Sequence, residues 1–576
     1  MKKIFLILAL VFTLIPSFFV IRQVGGISSW NGVPPAGVTD SLYYYARIHE
    51  VADGHPFIGN PYVFEYRNGF SPAFFLPDII AALPVLLGLP FIAGMVLNVF
   101  IWSFLFLVLS FALLRLLQMP KRWALVWTIL LYLVSYSFML RPVVMQIVYP
   151  FFLLFLIAFL RFLYAPLEKR KIYLLSLVAA STFYIYTYLA YIVILVFIFT
   201  FLWFLFSRRF KELRSLTMAG VFTAIMLIPF GIYTIIQIRS PYYIETLTRI
   251  GLVFTHIPAT EAFLYGRWIV IALIALGLLW KFFPKKEEGD SEQKIFWLAT
   301  GASLFVGLFL NVITGAELSL AIHIGRFVIL WMALVTGIGL YEWYSFSTFR
   351  NNRAKYIVVA VFLIILIGGV ARNVPRGLVF FEFPERGENI VDVQTYAAPL
   401  RWLNQHVSNE SVIWANDSVS EYIPILTRHY PLFASAAAIH NTTGRELEDR
   451  FLLSRSLYTL KIEDFKSDFG LYSGAGQSEE QPLAQNRRAW ICDATQRFWG
   501  GLKCPSYTDS ITLRGEEYFK ELSARFEDIK KNRTVFLKQY NVSYLIIDRT
   551  HDNPELVPNG KSVYDNGRFE ILQLSL

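Results

Sequence analysis

The sequence has few charged residues and few cysteines for its length. Asp, Glu, Lys and Arg make up 16% of the 576 residues, whereas about a quarter is usual in a soluble globular protein. Hydrophobic residues make up 56%, and the mean hydropathy is +0.49. Because the apolar residues also recur in long runs, the composition excludes an ordinary soluble protein and predicts a polytopic α-helical membrane protein.

Several motifs of nucleotide and hydrolase chemistry are also missing. The chain has no Walker motif, no Gly-rich dinucleotide fingerprint after a strand, no His-Glu-x-x-His and no Gly-x-Ser-x-Gly. ATP-driven transport and soluble-nucleotide chemistry therefore lose support.

The net positive charge lies in the apolar part of the chain. Residues 1–371 hold 28 Lys and Arg against 15 Asp and Glu, and residues 372–576 hold 24 against 27. The basic residues cluster between apolar runs, as they do in the cytoplasmic loops of membrane proteins. The excess of base is therefore a topology signal, and no nucleic-acid partner is expected.

The apolar runs predict eleven membrane helices. Their approximate bounds are 4–22, 91–117, 123–140, 150–165, 172–186, 188–206, 216–236, 267–282, 295–312, 325–345 and 356–371. With this count every basic cluster lies in the cytoplasm, the N-terminus is inside and the C-terminus is outside. Phe74–Leu89 is apolar but broken by prolines, and we predict an interfacial or re-entrant helix there, since another crossing would reverse all later loops.

The chain divides into a transmembrane domain, residues 1–371, and an extracytoplasmic C-terminal α/β domain, residues 372–576 (the tail). The first external loop, residues 23–72 (the first loop), belongs to the transmembrane domain. In the tail, 411–415 and 542–548 read as buried strands, 445–460 and 514–539 as amphipathic helices, and Asp565-Asn566-Gly567 as a hairpin turn. If the tail is outside, Cys492 and Cys504 are candidates for a disulfide.

Asp40 is the candidate catalytic residue of the first loop. A carboxylate in a polar pocket can act as a general base on an acceptor nucleophile. The alternative is structural, because Thr39 and Asp40 precede an amphipathic stretch and Asp is a favoured helix cap. Tyr44, His55, Glu65 and Arg67 are candidates for binding the acceptor or a sugar, although tyrosines also suit the membrane interface.

Cations near the external helix ends are candidates for binding a phosphate. They are Arg326, His323, Arg249 and Arg47. Arginine suits bidentate phosphate binding, while a lipid headgroup contact is the alternative for each single residue. His323 and Arg326 are one turn apart at the start of an apolar helix, where ionisable residues are functional candidates. A divalent cation bound by Asp40 with Asp53, Glu65 or Asp78 is a further possibility.

The layout and a few short motifs resemble the GT-C superfamily of integral-membrane glycosyltransferases. The residues that carry the resemblance are Thr39-Asp40-Ser41-Leu42-Tyr43-Tyr44-Tyr45-Ala46-Arg47, Gly54-His55-Pro56, Ser71-Pro72 and His323-Ile324-Gly325-Arg326-Phe327. The resemblance implies inverting transfer of a sugar from a polyprenyl-phosphate donor to a glycan, lipid or protein acceptor. Asp40 would be the base, at the outer face of the plasma membrane. The chain departs from the family in lacking a Trp-Trp-Asp-type motif in the tail and an acid in Arg141–Tyr149.

Two other classes remain open. A transporter or lipid flippase would have buried charges at mid-membrane and often internal repeats, and the apolar runs hold few charges and no repeat. A non-catalytic assembly factor would use the tail as a binding module. Whether Asp40 lies beside an outward cavity discriminates among these readings.

Overall fold

The computed structural model describes residues 30–34, 40–73, 75–282, 290–346, 391–499, 503–552 and 557–575, with a few single residues near 10 and 360. The predicted helices 4–22 and 356–371 lie outside the described residues.

The described residues between 40 and 346 form a bundle of helices with a short β-ribbon. The helices are α1 Ser41–Ala52, α2 Leu76–Leu86, α3 Phe91–Leu116, α4 Lys121–Met139, α5 Val148–Tyr164, α6 Lys169–Ile185, α7 Thr187–Phe206, α8 Phe210–Met226, α9 Ile228–Ile238, α10 Tyr243–Ile250, α11 Thr260–Phe282, α12 Asp290–Leu308, α13 Leu310–Thr314 and α14 Leu320–Phe346. Strands β1 Leu252–Phe254 and β2 Ala316–Leu318 pair antiparallel. A 3-10 turn, Phe64–Tyr66, lies in the first loop.

Five helices in the described part of the chain are long and apolar enough to cross a membrane, namely α3, α4, α7, α11 and α14, and a sixth crossing results if α8 and α9 count as one. They indicate a membrane protein. The predicted count of eleven is not confirmed. The predicted helices 4–22 and 356–371 lie outside the described residues, α5 and α6 are each one residue too short for this criterion, and α12 is less apolar.

Two segments of the bundle differ from a straight crossing helix. Helix α2 has 11 residues, a length of about 16 Å, which is too short to cross a hydrocarbon core of about 30 Å; its interfacial or re-entrant placement stays a prediction. The predicted single helix 216–236 is wrong, because α8 and α9 meet at a bend of 53°. Pro229 lies in the first turn of α9 and has no N–H to continue the hydrogen bonds of α8.

The bundle core is packed around large aromatic side chains. Trp127, Trp297 and Trp331 are buried, and the Trp127 Nε1–H donates to the Ala333 carbonyl at 2.9 Å. Gly337 lies against the Trp127 ring, where a Cβ atom would be only 2.1 Å from Nε1. A small residue thus lets α14 approach α4 closely, as is common between membrane helices.

The tail is an α/β domain, as predicted. Its strands are β3 Val412–Trp414, β4 Tyr430–Pro431, β5 Val542–Asp548, β6 Gly560–Asp565 and β7 Phe569–Leu574. They form one sheet in the order β4-β3-β5-β7-β6, in which β3 runs parallel to β4 and β5, while β7 runs antiparallel to β5 and β6. Asp565-Asn566-Gly567 forms the predicted turn between β6 and β7.

Helices cover this sheet. They are α15 Ala397–His406, α16 Asp417–Ser420, α17 Ile423–Leu426, α18 Gly444–Ser454, α19 Ile462–Ser467, α20 Phe469–Ser473, α21 Gln481–Trp499, α22 Ser510–Arg514, α23 Glu516–Lys531 and α24 Arg533–Gln539, with 3-10 turns at Val393–Tyr396 and Ser435–Ile439 and a π-helical turn at Gly476–Glu480. The predicted helix 445–460 ends earlier, and 514–539 divides at Asn532.

The first loop packs directly on the tail. Val33, Tyr62 and Val63 share a buried apolar cluster with Leu400 and Ile423. The backbone N–H of Asn31 also donates to the Gln394 Oε1 at 3.0 Å. The first loop is therefore structurally continuous with the tail as well as with the bundle.

Candidate functional site

Asp40 lies at the N-terminus of α1, where the bundle meets the tail. Its backbone is left-handed, with φ 68° and ψ 8°, and its side chain makes no capping hydrogen bond. The helix-cap alternative therefore does not describe this side chain. The carboxylate is 51% exposed and instead contacts Arg141, with an Oδ2–Nη2 distance of 2.5 Å.

Arg141 follows the last turn of α4 and connects Asp40 to Tyr44. Its guanidinium lies over the Tyr44 ring, 5.4 Å from the centroid. Burial alone would lower the pKa of Arg141, but the nearby Tyr44 and Asp40 raise it above its ordinary value. Burial raises the pKa of the Tyr44 phenol, against the lowering effect of Arg141. Arg141 is thus a permanent cation and Tyr44 a neutral hydroxyl.

His323 and Arg326 reach the same place from the first turns of α14. The His323 Nδ1 contacts the Tyr186 hydroxyl, and the His323 ring stacks on Tyr188 with centroids 4.1 Å apart. Arg326 interacts electrostatically with Tyr44 and Tyr186. We call Arg141, His323 and Arg326, with Tyr44 and Tyr186, the basic cluster.

Two guanidinium groups of the basic cluster have spare hydrogen-bond donors. Arg141 is only 9% exposed. Its Nε and the Nη1 of Arg326 are buried atoms without a hydrogen-bond partner in the described part of the chain. Buried donors are almost always paired, so these two N–H groups on neighbouring cations are available to an anion.

The backbone around the basic cluster is strained. Asp40, Val143, Met145 and Ser319 all have positive φ angles, of 68°, 61°, 70° and 47°. These residues belong to the start of α1, the turn after Arg141 and the residue before α14. A positive φ is costly for a β-branched residue such as Val143, and such strain tends to collect at functional sites.

Asp40 also lines an open cleft. The cleft has a volume of about 370 Å³ and is lined by Asp40 and Tyr43 at the start of α1 and by Glu421, Ser435 and Gly474 from the tail, among others. Asp40 thus borders both this cleft and the basic cluster.

The other predicted phosphate-binding residues are Arg47 and Arg249. Both already bind other groups of the protein. Arg47 is buried and bidentate to Asp78, at 3.0 Å from Nε to Oδ1 and 2.7 Å from Nη2 to Oδ2. Arg249 is buried on α10 and donates to three tail carbonyl groups, those of Ala438, His440 and Thr442. Burial lowers the pKa of Arg249 to about 10, against the opposing effect of Glu245.

Of the predicted acceptor-binding residues, only Tyr44 lies in the basic cluster. His55 and Arg67 both contact Glu410 of the tail, at 3.3 Å and 3.0 Å. Glu65 is ion-paired with Arg450 of the tail. These three side chains join the first loop to the tail.

The acids considered for a metal site do not converge. Asp78 is paired with Arg47, Asp53 lies 2.9 Å from the His49 imidazole, and Glu65 is at the tail. In the described residues, no three His, Cys, Asp or Glu side chains are placed to hold a metal ion. Cys492 and Cys504 form a disulfide with Cα atoms 5.4 Å apart.

Arg141 and Tyr186 are not among the site residues that the sequence predicts. Both lie at helix ends on the side where the first loop docks, and Arg141 meets the criterion that selected Arg326, a cation at the outer end of an apolar helix. The sequence does not show that Arg141 has an acidic partner, because that partner, Asp40, lies 101 residues earlier in the chain.

Comparison with models of known protein families finds no match, and a search of curated proteins finds no similar sequence.

Proposed function

We propose that this protein is a membrane glycosyltransferase that transfers a sugar from a polyprenyl-phosphate donor to an acceptor at the extracytoplasmic face. The observation that carries the proposal is that Asp40 contacts a basic cluster with spare hydrogen-bond donors and also lines an open cleft. In this proposal a lipid phosphate binds to the basic cluster, and the acceptor binds in the cleft.

In this proposal the acceptor hydroxyl attacks the anomeric carbon from the side opposite the phosphate. The hydroxyl proton passes to Asp40, the bond between the anomeric carbon and the phosphate oxygen breaks, and the lipid phosphate leaves with both electrons. Arg326 and Arg141 bind the phosphate where its negative charge develops, and His323 and the Tyr186 hydroxyl complete the polar surface around it. The sugar is transferred with inversion.

The sequence resemblance to the GT-C superfamily supports the same activity, through the motif around Asp40 and the motif around Arg326. The transporter alternative receives less support, because Asp40 and the three cations lie at the ends of helices. A lipid substrate would reach them from the outer part of the membrane.

The test is transfer of labelled sugar from polyprenyl-phosphate donors in membranes that contain the Asp40→Asn variant. We expect a loss of about 10²–10⁴-fold, the range for removing a general base. Asp53→Asn is the matched control, because it removes a carboxylate at the other end of α1, and it should transfer normally. Transfer by Asp40→Asn at the native rate would refute the assignment.

A further inference from the structure

The Asp40–Arg141 ion pair joins the proposed base directly to a proposed phosphate ligand. The contact uses the Oδ2 atom of Asp40 and the Nη2 group of Arg141. A phosphate on Arg141 would therefore be a second anion on the guanidinium that already binds Asp40, and the two anions would repel each other.

The structure also contains what would open the pair. Arg141 is nine-tenths buried, and among the described residues its Nε and the Nη1 of the neighbouring Arg326 have no hydrogen-bond partner. A phosphate bound by both groups would use donors that are now orphaned and would compete with Asp40 for Arg141. Asp40 is half exposed, so it can turn toward water or toward the cleft when it is displaced.

We propose that Arg141 holds Asp40 until a phosphate monoester or diester displaces the carboxylate, so that binding of the donor releases Asp40 toward the acceptor. This inference rests on the proposed function. It makes Arg141 a positioning residue for Asp40 as well as a phosphate ligand, and it couples donor binding to release of the base.

Competition for Arg141 has a measurable consequence in binding. If Asp40 competes with phosphate, Asp40→Asn releases Arg141 and tightens phosphate binding. We expect a change of about fivefold, which corresponds to about 1 kcal/mol for a partly exposed ion pair. Removing the negative charge of Asp40 would also strengthen phosphate binding through general electrostatics, so a matched control is needed. Glu421→Gln removes a charge from the same cleft and should change the affinity less than twofold.

The experiment measures the affinity of the full-length protein in nanodiscs for inorganic phosphate and for dodecyl phosphate. Only binding that is lost in the Arg326→Gln variant is counted as specific. This correction excludes the signal from dodecyl phosphate that partitions into the lipid. The same measurements on Arg141→Gln and on the Arg141→Gln, Asp40→Asn double variant complete a double-mutant cycle. We expect Asp40→Asn to tighten binding only when Arg141 is present. Tightening with both probes identifies the phosphate group as the competitor, and tightening with dodecyl phosphate alone identifies a lipid phosphate.

Equal effects of Asp40→Asn with and without Arg141, or no tightening, would overturn the inference and leave the proposed function standing. Tightening in an Asp40→Asn variant that transfers sugar normally would overturn the proposed function and leave the competition standing. Absence of specific binding of both probes would overturn both. Asp40→Ser provides a second variant if Asp40→Asn does not fold, with thermal unfolding as the check.

Discussion

Two arginine–aspartate pairs near α1 have opposite surroundings. Both members of the Arg47–Asp78 pair are 2% exposed, whereas Asp40 in the pair with Arg141 is half exposed. Removing one partner of a buried pair leaves an unpaired buried charge and costs about 3–5 kcal/mol. Asp78→Asn should therefore lower the stability of the purified protein severely, as measured by thermal unfolding in detergent.

Asp40→Asn is the matched variant, because it makes the same chemical change in the exposed pair. An exposed ion pair contributes about 0–1 kcal/mol, so its unfolding temperature should stay close to that of the native protein. Comparable losses in the two variants would show that Asp40 has a structural role.

Glu50 on α1 provides a pH-dependent prediction. It is buried and accepts a hydrogen bond from the Tyr430 hydroxyl of the tail at 3.0 Å, and burial raises the pKa of Glu50 well above its ordinary value near 4.5, against the lowering effect of Tyr430. The folded state therefore keeps the proton after the unfolded state has lost it. Glu50 consequently lowers the free energy of unfolding as the pH rises above about 4.5.

Glu50→Gln removes this contribution, since an amide does not ionise and its oxygen can still accept from Tyr430. We expect the variant to unfold at a higher temperature than the native protein at pH 7–8, with the difference disappearing toward pH 4.5. A difference that does not change with pH would contradict the prediction.

At the residue scale, position along the chain was a good guide to some side chains and a poor one to others. As charged or polar residues at helix ends, Asp40, Arg326 and His323 are predicted site residues, and they meet in one place. Arg47 and Arg249 fulfil the same criterion, but Asp78 and the tail carbonyls already bind them. Because these partners are set by tertiary packing, one sequence does not reveal which cations keep free hydrogen-bond donors.

At the element scale, the π-helical turn Gly476–Glu480 of the tail packs closely on α10 and β1. A Cβ atom on Gly476 would lie 1.9 Å from the Thr248 carbonyl oxygen and 2.6 Å from the Gly251 nitrogen. Both neighbours are backbone atoms and cannot turn aside. Gly476→Ala should therefore push the tail away from α10, at a cost of about 2 kcal/mol, detected as faster proteolysis of the tail.

Gly470→Ala is the control for this prediction. Gly470 lies nearby in α20, and a Cβ atom there would be 3.6 Å from its nearest neighbour, the Ser478 Oγ, which is an ordinary contact. Its proteolysis should match that of the native protein. Equal sensitivity of the two variants would mean that any added methyl group in this segment is disruptive.

The elements themselves were mostly predictable, and the errors have physical causes. Apolar runs located the long helices, but α11 and α14 begin at Thr260 and Leu320, several residues before the predicted 267 and 325. The added turns carry polar residues, Glu261 in α11 and His323 in α14, which interrupt the apolar runs of the sequence. A helix at the edge of a bundle can include such residues when they bind to other protein groups, as His323 does.

At the scale of the whole molecule, the bundle, the first loop and the tail form one connected structure. Arg450, on α18 of the tail, is fully buried and paired with Glu65 of the first loop and Glu446 of its own helix. The separate chain segments were predictable from composition, but this joining was not, because contacts across more than 350 residues leave no periodic signal in one sequence. The half of the site outside the first loop was therefore only partly predictable.

Arg249 distinguishes a residue that joins the domains from one that binds the donor. It lies on α10 and donates to Ala438 at 3.0 Å, His440 at 3.3 Å and Thr442 at 2.6 Å, all on the tail. Arg249→Met keeps much of the side-chain volume but leaves these buried carbonyls without their donor, so we expect a loss of about 3 kcal/mol. Hydrogen exchange should then increase in 435–444 of the tail.

If Arg249 only joins the domains, Arg249→Met should leave the affinity for dodecyl phosphate within about twofold of native, measured where the variant is still folded. Arg326→Gln should do the opposite, because it removes the orphaned donor without touching the tail: phosphate binding is lost and hydrogen exchange in 435–444 is unchanged. Loss of phosphate binding in Arg249→Met without faster exchange would instead restore Arg249 as a donor ligand, and the anion site would then have to extend from α14 to α10.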